Sequence, residues 1–519
     1  MPFLGTINHR LQRLAEENPQ DKCYTFIGVK NESLQLSRQQ LFDLSRSYAS
    51  RLKRNGVKPV LSDGQDLFST LRHSKCSTVI TSAGNPTFKI FEKYFTSSSD
   101  LVAGGNVETI IPVQCSQAPW LKQLIVYKLN SHEDHTAFLS RLADEEFYVA
   151  PVTADDEAYI FLTSGSTGFS KMVPRTHREC LDIAENYSSI FTKDDVLYSD
   201  RPFGWIGGFP HYFLSQGIPT LVQELYDGVT LRRVVDVWDV ALRLGATFTF
   251  TLVADIMQLK ELYKDGIFKK SIGIIFTGAQ PIKKNVMEAV GLVCERMMTS
   301  YGSTDVGLMV YGLIDKLNKD TFKDCYAGNT ICPGLQLRLV DAKTKEIFTE
   351  PKRIGMIHFK GKTVLRRYLN VEDTTTMTFM LDGWLDTKDT GYLDEDGGVH
   401  IIGRQADMIT IGAYLLYPQW MEERIQMCPG IQSVMVVGLP HPVTIQEICV
   451  CVIKEKDATL TLADLKNFCQ GIFLEGATKF DGVPEKFVFM ESFPLLSTGK
   501  VSRKATERMA AEYFKAYST

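Results

Sequence analysis

The residues from Thr163 to Lys171 combine hydroxyl side chains, glycines and one lysine in a short stretch. Glycines allow backbone N–H groups to turn toward an anion, the hydroxyls add donors, and the lysine supplies a positive charge. An apolar run at 159–162 precedes the stretch, as a buried strand would. The pattern predicts a phosphate-binding loop, with these candidate residues: Thr163, Ser164, Gly165, Ser166, Thr167, Gly168 and Lys171.

A Walker P-loop is the main alternative, but its spacing does not fit. That motif requires a glycine five residues after Gly165 and a Ser or Thr after the lysine. The chain has Ser170 and Met172 at these positions. A surface turn rich in Ser and Gly, without any ligand, is the remaining interpretation of this stretch taken alone.

The same stretch resembles the signature loop of the adenylate-forming superfamily, which contains acyl-CoA synthetases, adenylation domains of peptide synthetases and beetle luciferases. Five further segments resemble motifs of this superfamily and follow its order. They are Thr277–Pro281, Ser300–Asp305, Gly383–Gly391, Gly403–Pro418 and Leu496–Lys504. Because six motifs in order are far more specific than one, the chain is identified as a member of this superfamily.

The resemblance implies both a fold and a reaction. The fold is α/β, with a large N-terminal domain of layered α/β sheets and a small α+β C-terminal domain that rotates about a hinge. The reaction uses Mg-ATP to convert a carboxylic acid into an acyl-adenylate with release of pyrophosphate. In acyl-CoA synthetases the acyl group then passes to CoA, so ATP, Mg²⁺, a carboxylic acid and coenzyme A are the implied small molecules.

Individual residues receive roles by the same resemblance. Asp389 accepts hydrogen bonds from the ribose hydroxyls, which suits a carboxylate with two oxygens, and Arg404 supports the same sugar. Tyr301 is the adenine-stacking ring, Thr304 contacts phosphate, and Asp305 holds Mg²⁺ through one carboxylate. The remaining nucleotide-binding candidates are Gly278, Ala279, Gln280, Gly302 and Ser303.

Lys500 is the predicted catalytic lysine, together with Thr304. Negative charge develops on the phosphoryl and carboxylate oxygens as the acid attacks the α-phosphorus, and a positioned ammonium stabilises it. A lysine on a mobile domain can be delivered for this step and withdrawn for the next.

The acyl pocket is predicted at residues 203–209, where Trp205, Gly207 and Gly208 are the candidate wall residues. Core packing explains this segment about as well. Small residues beside aromatic ones favour an apolar acid, and no nearby Asp or Glu marks a site for an amino-acid ammonium group. We therefore expect a fatty or aromatic acid as the substrate.

Bulk properties exclude several classes of protein. The 57 basic and 61 acidic residues give a net charge of -4, so no electrostatic footprint for nucleic acid is present. The eleven cysteines are scattered without metal-site spacing, and we expect reduced thiols. No apolar run reaches membrane-spanning length, and His9 and Arg10 interrupt any signal-like stretch, so a cytoplasmic location is expected.

The elements around the motifs alternate between helix and strand, as in layered α/β folds. Apolar spacing predicts a helix at 231–244, a strand at 247–251 and a second helix at 253–262. The run at 272–276 predicts a buried parallel strand. With 519 residues the chain is too long for one core, and we expect domains at 1–402 and 403–519, with a hinge near 403–407.

The C-terminal domain is predicted to begin its first helix at Pro418 and to contain strands at 434–437 and 449–453. Thr461 is the expected N-cap of a further helix. The acidic cluster at 394–398 is read as a turn.

The N-terminal domain appears shortened after residue 56, where the superfamily places an additional strand and helix before the strand region expected at 74–81. The loss of such elements exposes apolar surface and an unpaired strand edge, so reduced stability is expected.

Two alternatives to an acyl-CoA synthetase stay open at this stage. A luciferase-like oxygenation uses the same adenylate on the same fold. A catalytically degenerate nucleotide-binding protein is suggested by the shortened segment and by three departures from the pattern of the superfamily: Asp305, Ala406 and Thr410. Lys388 is a fourth departure from that pattern.

Overall fold

The computed structural model describes residues 5–27, 33–54, 71, 74–82, 91, 94, 108–116, 118–127, 151–163, 171–199, 206–208, 210–223, 234–369, 382–411, 414–442, 445–474, 483–495 and 501–516. Nine α-helices have their bounds within these ranges. They are α1 (Ile7–Glu17), α2 (Arg38–Arg54), α3 (His177–Glu185), α4 (His211–Gln216), α5 (Val234–Arg243), α6 (Val253–Lys264), α7 (Pro418–Ile425), α8 (Leu462–Leu474) and α9 (Arg503–Ala516).

The largest sheet has nine strands in the order β15-β13-β12-β11-β10-β8-β9-β1-β2. Its middle pairs are parallel and its edge pairs are antiparallel. The strands are β1 (Lys22–Ile27), β2 (Ser33–Ser37), β8 (Leu197–Ser199), β9 (Thr220–Gln223), β10 (Phe248–Phe250), β11 (Ile272–Gly278), β12 (Cys294–Ser303), β13 (Gly307–Ile314) and β15 (Thr330–Ile331).

A second, antiparallel sheet has six strands in the order β14-β20-β19-β18-β16-β17. The turn predicted at 394–398 joins two of these strands, and Asp394 accepts the Gly398 N–H at 2.7 Å. The strands are β14 (Tyr326–Gly328), β16 (Leu335–Val340), β17 (Ile347–Phe348), β18 (Gly355–Gly361), β19 (Leu385–Leu393) and β20 (Val399–Arg404).

Two smaller sheets complete the part before residue 403. One is the hairpin β6 (Glu157–Leu162) with β7 (Met172–Thr176), and the other has the order β3-β5-β4. The strand region expected from residue 74 begins only at Thr78, because Lys75 adopts a left-handed turn with φ 51°. The three strands are β3 (Thr78–Ser82), β4 (Glu108–Pro112) and β5 (Gln123–Tyr127).

The last sheet contains β21 (Ile409–Ile411), β22 (Tyr414–Leu416), β23 (Ile431–His441), β24 (Ile445–Lys454) and β25 (Lys486–Phe489). Helices α7 and α8 pack on one of its faces, where Met421 and Leu465 are fully buried. Helix α9 packs on the other face through Ala510. The helix predicted from Pro418, both strands and the Thr461 cap are therefore confirmed, with Thr461 Oγ1 accepting the Asp464 N–H at 3.2 Å.

The nine-stranded and six-stranded sheets share one hydrophobic core, and this core positions the candidate site. Phe276 and Met298 of the first sheet and Ile357 and Phe359 of the second belong to the same buried cluster. Tyr301, at the end of β12, lies in this cluster and is 8% exposed. The layered α/β architecture predicted from the sequence is therefore confirmed.

The predicted helix, strand and helix between residues 231 and 264 are present as α5, β10 and α6. Helix α6 buries Ile256, Leu259 and Tyr263, which share one face at helical spacing. Residues 231–233 lie outside the described ranges. All eleven cysteines are free and buried, as reduced core thiols are. Within the described ranges, every helix is too short or too polar to span a membrane.

Candidate active site

Three strands bring Tyr301, Asp389 and Arg404 together, and we call these three residues the ribose end of the site. Asp389 and Arg404 are register partners on β19 and β20. The Tyr301 hydroxyl donates to Asp389 Oδ2 at 2.5 Å, and Arg404 Nε lies 3.3 Å from Asp389 Oδ1. Each carboxylate oxygen of Asp389 therefore has one protein partner and retains a lone pair for a further donor.

Burial and charge act in opposite directions on Asp389. Burial raises the pKa of its carboxyl group, whereas the Arg404 guanidinium and the Tyr301 hydroxyl lower it. Asp389 in turn is the main reason that the pKa of Arg404 is raised. At the ribose end the buried Asp389 carboxylate is thus held by one hydrogen bond, from Tyr301, and one ion pair, with Arg404.

Thr163, Lys171, Thr304 and Asp305 form what we call the phosphate end. Hairpin β6–β7 closes the base of the predicted phosphate loop, because Thr163 N–H donates to the Lys171 carbonyl at 2.9 Å. Lys171 N–H also donates to Thr163 Oγ1 at 2.9 Å. Ser164, Gly165, Ser166, Thr167 and Gly168 lie outside the described residues.

Lys171 and Asp305 influence each other electrostatically at this end. Burial lowers the pKa of Lys171, while the Asp305 carboxylate raises it. The Lys171 ammonium lies 4.6 Å from the centre of the Tyr368 ring, within cation–π range.

Asp305 has a shielded carboxylate oxygen, Oδ1, that is unpaired within the described part of the chain. Its Oδ1 is removed from solvent and has no hydrogen-bond partner among the described residues. Burial raises the pKa of this carboxyl group, and Arg175, a hydrogen bond from Tyr368, and Lys171 oppose the shift. Such an uncompensated carboxylate oxygen is a hard donor that suits a divalent cation such as Mg²⁺.

Arg175 is a site residue that the sequence analysis missed. Its side chain is fully buried in β7, and it donates to the Thr304 carbonyl at 2.7 Å and to the Thr363 carbonyl at 2.8 Å. The Leu365 N–H holds the Asp305 carbonyl at 2.8 Å. The signal in the sequence was a charged residue inside an otherwise uncharged strand, which indicates a specific buried role.

The predicted adenine-side residues lie where β11 ends beside β12. A Cβ on Gly278 would approach the Ser300 carbonyl oxygen to 2.6 Å, so only glycine fits between these strands. Ala279 follows with φ 66°, a left-handed turn that directs the chain away from the sheet. Gln280 is half-buried. Gly302 and Ser303 pair with the start of β13 beyond a register shift at Tyr301.

The predicted pocket wall is only partly described. Gly207 and Gly208 lie in a turn before α4, and Trp205 lies outside the described residues. Three residues after Gly208, His211 is fully buried, and its ring centre is 5.9 Å from that of Phe161. Burial lowers the pKa of His211 to about 3, so the imidazole is neutral at physiological pH.

Lys500 also lies outside the described residues, but the chain on both sides of it is defined. Leu495 and Val501 form a β-bridge, and Ser502 N–H donates to the Pro494 carbonyl at 2.8 Å. A β-bridge and a hydrogen bond therefore hold together the two described ends of the segment that contains Lys500.

A metal site built from protein ligands alone is not found in the described part of the chain, where no three His, Cys, Asp or Glu residues cluster suitably.

Comparison with known proteins identifies two regions of the chain. The family described as AMP-binding enzyme matches residues 62–369, and the AMP-binding enzyme C-terminal domain matches residues 421–500.

Curated relatives are distant but cover most of the chain. The 2-succinylbenzoate–CoA ligase of Arabidopsis thaliana is 26% identical over an alignment of 393 residues, which covers 70% of this chain and 68% of the relative. The long-chain-fatty-acid–CoA ligase of Salmonella typhimurium is 27% identical over 369 residues, which are 69% of this chain and 62% of the relative.

Solved structures share the fold over almost the full length. ATP-bound MatB from Rhodopseudomonas palustris superposes with a TM-score of 0.76 at 19% identity, covering 98% of this chain and 99% of that chain. The O-succinylbenzoate CoA synthetase MenE from Bacillus subtilis, with ATP and magnesium ion, gives 0.72 at 19% identity, covering 96% and 99%.

Proposed function

The chain belongs to the family of AMP-binding enzymes, and we propose that it is an AMP-forming acyl-CoA synthetase. In the first half-reaction a carboxylate oxygen of the acid bonds to the α-phosphorus of ATP, and the bond to pyrophosphate breaks. In the second, the CoA thiol loses its proton and its sulfur bonds to the acyl carbon, and AMP leaves with the electrons of the broken acyl–oxygen bond.

The observation that carries this proposal is the paired Asp389 carboxylate at the ribose end. With a hydrogen bond from Tyr301 on one oxygen and an ion pair with Arg404 at the other, it is oriented before a nucleotide arrives and has lone pairs left for both ribose hydroxyls. The Tyr301 ring lies beside this carboxylate at the edge of the shared core, which supports its predicted role against the adenine.

The phosphate end supports the handling of the triphosphate. Lys171 supplies positive charge at the base of the phosphate loop, and Arg175 fixes the backbone that presents Thr304 and Asp305. We assign Mg²⁺ binding to Asp305, because its Oδ1 is shielded and without a partner among the described residues. When bound there, Mg²⁺ neutralises charge on the phosphates of ATP.

We assign the catalytic lysine to Lys500, whose ammonium would meet the charge that develops at the α-phosphate. We also propose that residues 1–402 and 403–519 are two domains that rotate about the segment 403–407. Strand β20 ends at Arg404 and the next sheet begins at Ile409, so few residues join the two sheets. Such a short connection suits a hinge.

For the acid, we propose a fatty or aromatic carboxylic acid. Two residues described near the predicted pocket carry no charge: Phe161 is aromatic and the His211 imidazole is neutral. The named substrates of the two relatives above, 2-succinylbenzoate and long-chain fatty acids, fall in the same classes. We propose that Trp205, Gly207 and Gly208 contribute to its wall, and that the protein acts in the cytoplasm.

The test is the formation of AMP and thioester by the purified protein. Mg-ATP and a panel of short, long and aromatic acids are supplied with and without CoA. The proposal predicts that one class of acid gives AMP and acyl-CoA in equal amounts, and only with CoA.

Two other results would overturn the assignment. AMP formation without CoA, with oxygen consumed, would indicate the luciferase-like alternative. ATP binding by the folded protein without any AMP, whichever acid is added, would indicate the degenerate nucleotide-binding protein.

A further inference from the structure

We propose that Arg503 is a positioning residue that fixes the base of the segment carrying Lys500. This inference rests on the proposed function, because it assumes that Lys500 acts in adenylation. Arg503 is the first residue of α9 and lies three positions after Lys500. Its side chain is only 16% exposed, which is unusual for a guanidinium at the start of a helix.

The Arg503 guanidinium joins three separate elements of the C-terminal sheet domain. It donates to Glu422 Oε1 of α7 at 2.5 Å and lies 3.3 Å from Glu422 Oε2, a forked arrangement on one carboxylate. It also donates to the Val436 carbonyl of β23. Glu422 accepts the Val436 N–H at 2.8 Å, so the carboxylate and the guanidinium share the same strand residue.

The residues between Lys500 and Arg503 are held by further backbone contacts. Ser502, the neighbour of Arg503, donates its N–H to the Pro494 carbonyl, and its hydroxyl accepts the Ala505 N–H at 3.3 Å as a helix cap. The Leu495–Val501 bridge lies one step further toward Lys500. A rotation of the first turn of α9 would therefore displace both chain segments that form the Leu495–Val501 bridge.

The same guanidinium faces the hinge. Its Nε lies 4.0 Å from Asp407 Oδ2, in the 3₁₀ helix at 405–407. Asp407 also interacts electrostatically with Arg404, the cation of the ribose end. A line of alternating charges thus runs from Asp389 through Arg404 and Asp407 to Arg503.

Stability alone is a weak reason for such a group, because an apolar side chain of similar volume usually stabilises a buried position as well as an ion pair does. A planar guanidinium instead fixes direction, since its donors match a carboxylate only in one plane. Fixed direction matters here because a misplacement of about 1 Å at a catalytic group reduces rates by about a hundredfold.

The test compares Arg503→Met and Arg503→Lys with Arg424→Met. Arg424 lies on the same helix as Glu422, but stacks on Trp420 and donates to the Trp420 carbonyl within that helix. We expect Arg503→Met to lower kcat for pyrophosphate release by about a hundredfold, with little change in KM for ATP. Arg503→Lys should recover part of this loss, and thioester formation from a supplied acyl-adenylate and CoA should change little in all three variants.

Hydrogen exchange gives a readout that does not depend on activity. Arg503→Met should accelerate exchange at the Val501 and Ser502 amides, while Arg424→Met should not. Equal losses in both half-reactions, or exchange at these amides that matches the Arg424 variant, would overturn the positioning role. If the unmodified protein releases no pyrophosphate, the proposed function fails, and the exchange comparison still decides whether Arg503 fixes this segment.

Discussion

At the ribose end both oxygens of Asp389 have protein partners, whereas at the phosphate end Oδ1 of Asp305 has none among the described residues. The two carboxylates are nonetheless alike in one respect, because burial raises the pKa of each. The difference lies in which groups compensate the negative charge of each carboxylate. At Asp389 the compensation is built into the fold, and at Asp305 part of it is left for a ligand.

This contrast separates positioning from binding. A carboxylate that is already paired with protein groups has little rotational freedom left to lose, so under the proposed function the ribose would meet a partner that needs little further ordering. A shielded oxygen without a partner costs stability until a cation arrives. The ribose end should therefore resemble its ligand-bound form, and the phosphate end should gain most from Mg-ATP.

The largest effect is expected from Asp305→Asn, which tests the difference between the two carboxylates. Removal of the charge of this proposed Mg²⁺ ligand should reduce pyrophosphate release by at least about a hundredfold. The ligand-free protein should become more stable at pH 7, by about 2 °C in melting temperature. A carboxyl group with a raised folded-state pKa stabilises the fold when protonated and loses that contribution as the pH rises through its pKa, and Asn mimics the protonated form.

Two variants serve as controls for this prediction. Asp305→Glu keeps the carboxylate and should retain activity, and the exposed Asp239→Asn on α5 should change neither rate nor melting temperature. If Asp305→Asn melted lower than the unmodified protein and kept its activity, Asp305 would be a structural residue.

A smaller effect is expected at the ribose end from Tyr301→Phe. The change removes the hydroxyl that donates to Asp389 but keeps the ring. Hydrogen bonds to charged groups contribute about 1.5–3 kcal/mol, so KM for ATP should rise about tenfold, with kcat less affected. Tyr311→Phe is the matched control, because Tyr311 lies on β13, the strand next to β12, and its hydroxyl is 3.5 Å from that of Ser189 in the turn after α3. An equally small change in KM for ATP in both variants would contradict the proposed role of the Tyr301 hydroxyl.

The smallest predicted effect is a pH dependence of nucleotide binding. Protons compete with Mg²⁺ for the Asp305 carboxylate, and its raised pKa means that this competition begins at a higher pH than for an ordinary aspartate. The affinity advantage of the unmodified protein over Asp305→Asn should therefore shrink as the pH falls. The protonation of ATP itself is the same in both experiments, so the ratio of the two calorimetric Kd values for Mg-ATP reports on the Asp305 carboxylate alone. A ratio that stays constant as the pH falls would contradict the role of Asp305.

Much of the fold could be read from periodicity and motif order. Helix α6 and strand β11 carry their apolar residues at the spacing that their burial requires, and Thr461 caps its helix as predicted. The strand expected from residue 74 was placed four residues too early, because the left-handed turn at Lys75 depends on tertiary context rather than on a glycine or asparagine signal. The consequence of the shortening after residue 56 stays a prediction, since residues 55–70 lie outside the described ranges.

The site was predictable as a set of residues but not as a network. The motifs named Tyr301, Asp389 and Arg404, yet the hydroxyl–carboxylate contact joins residues 88 positions apart and has no local signature. Arg175 stands out as the one charged residue of its strand, but its contacts with the backbone carbonyls of Thr304 and Thr363 span more than a hundred positions and have no local signature.

The most direct test of the central claim, that this chain forms acyl-adenylates, is acid-dependent exchange of labelled pyrophosphate into ATP without CoA. The unmodified protein and Lys504→Ala, an exposed lysine on α9, should both show exchange with at least one fatty or aromatic acid. Lys500→Ala should reduce it by at least about a hundredfold. Exchange that is absent from the folded, ATP-binding protein, or that is equal in both lysine variants, would contradict the account.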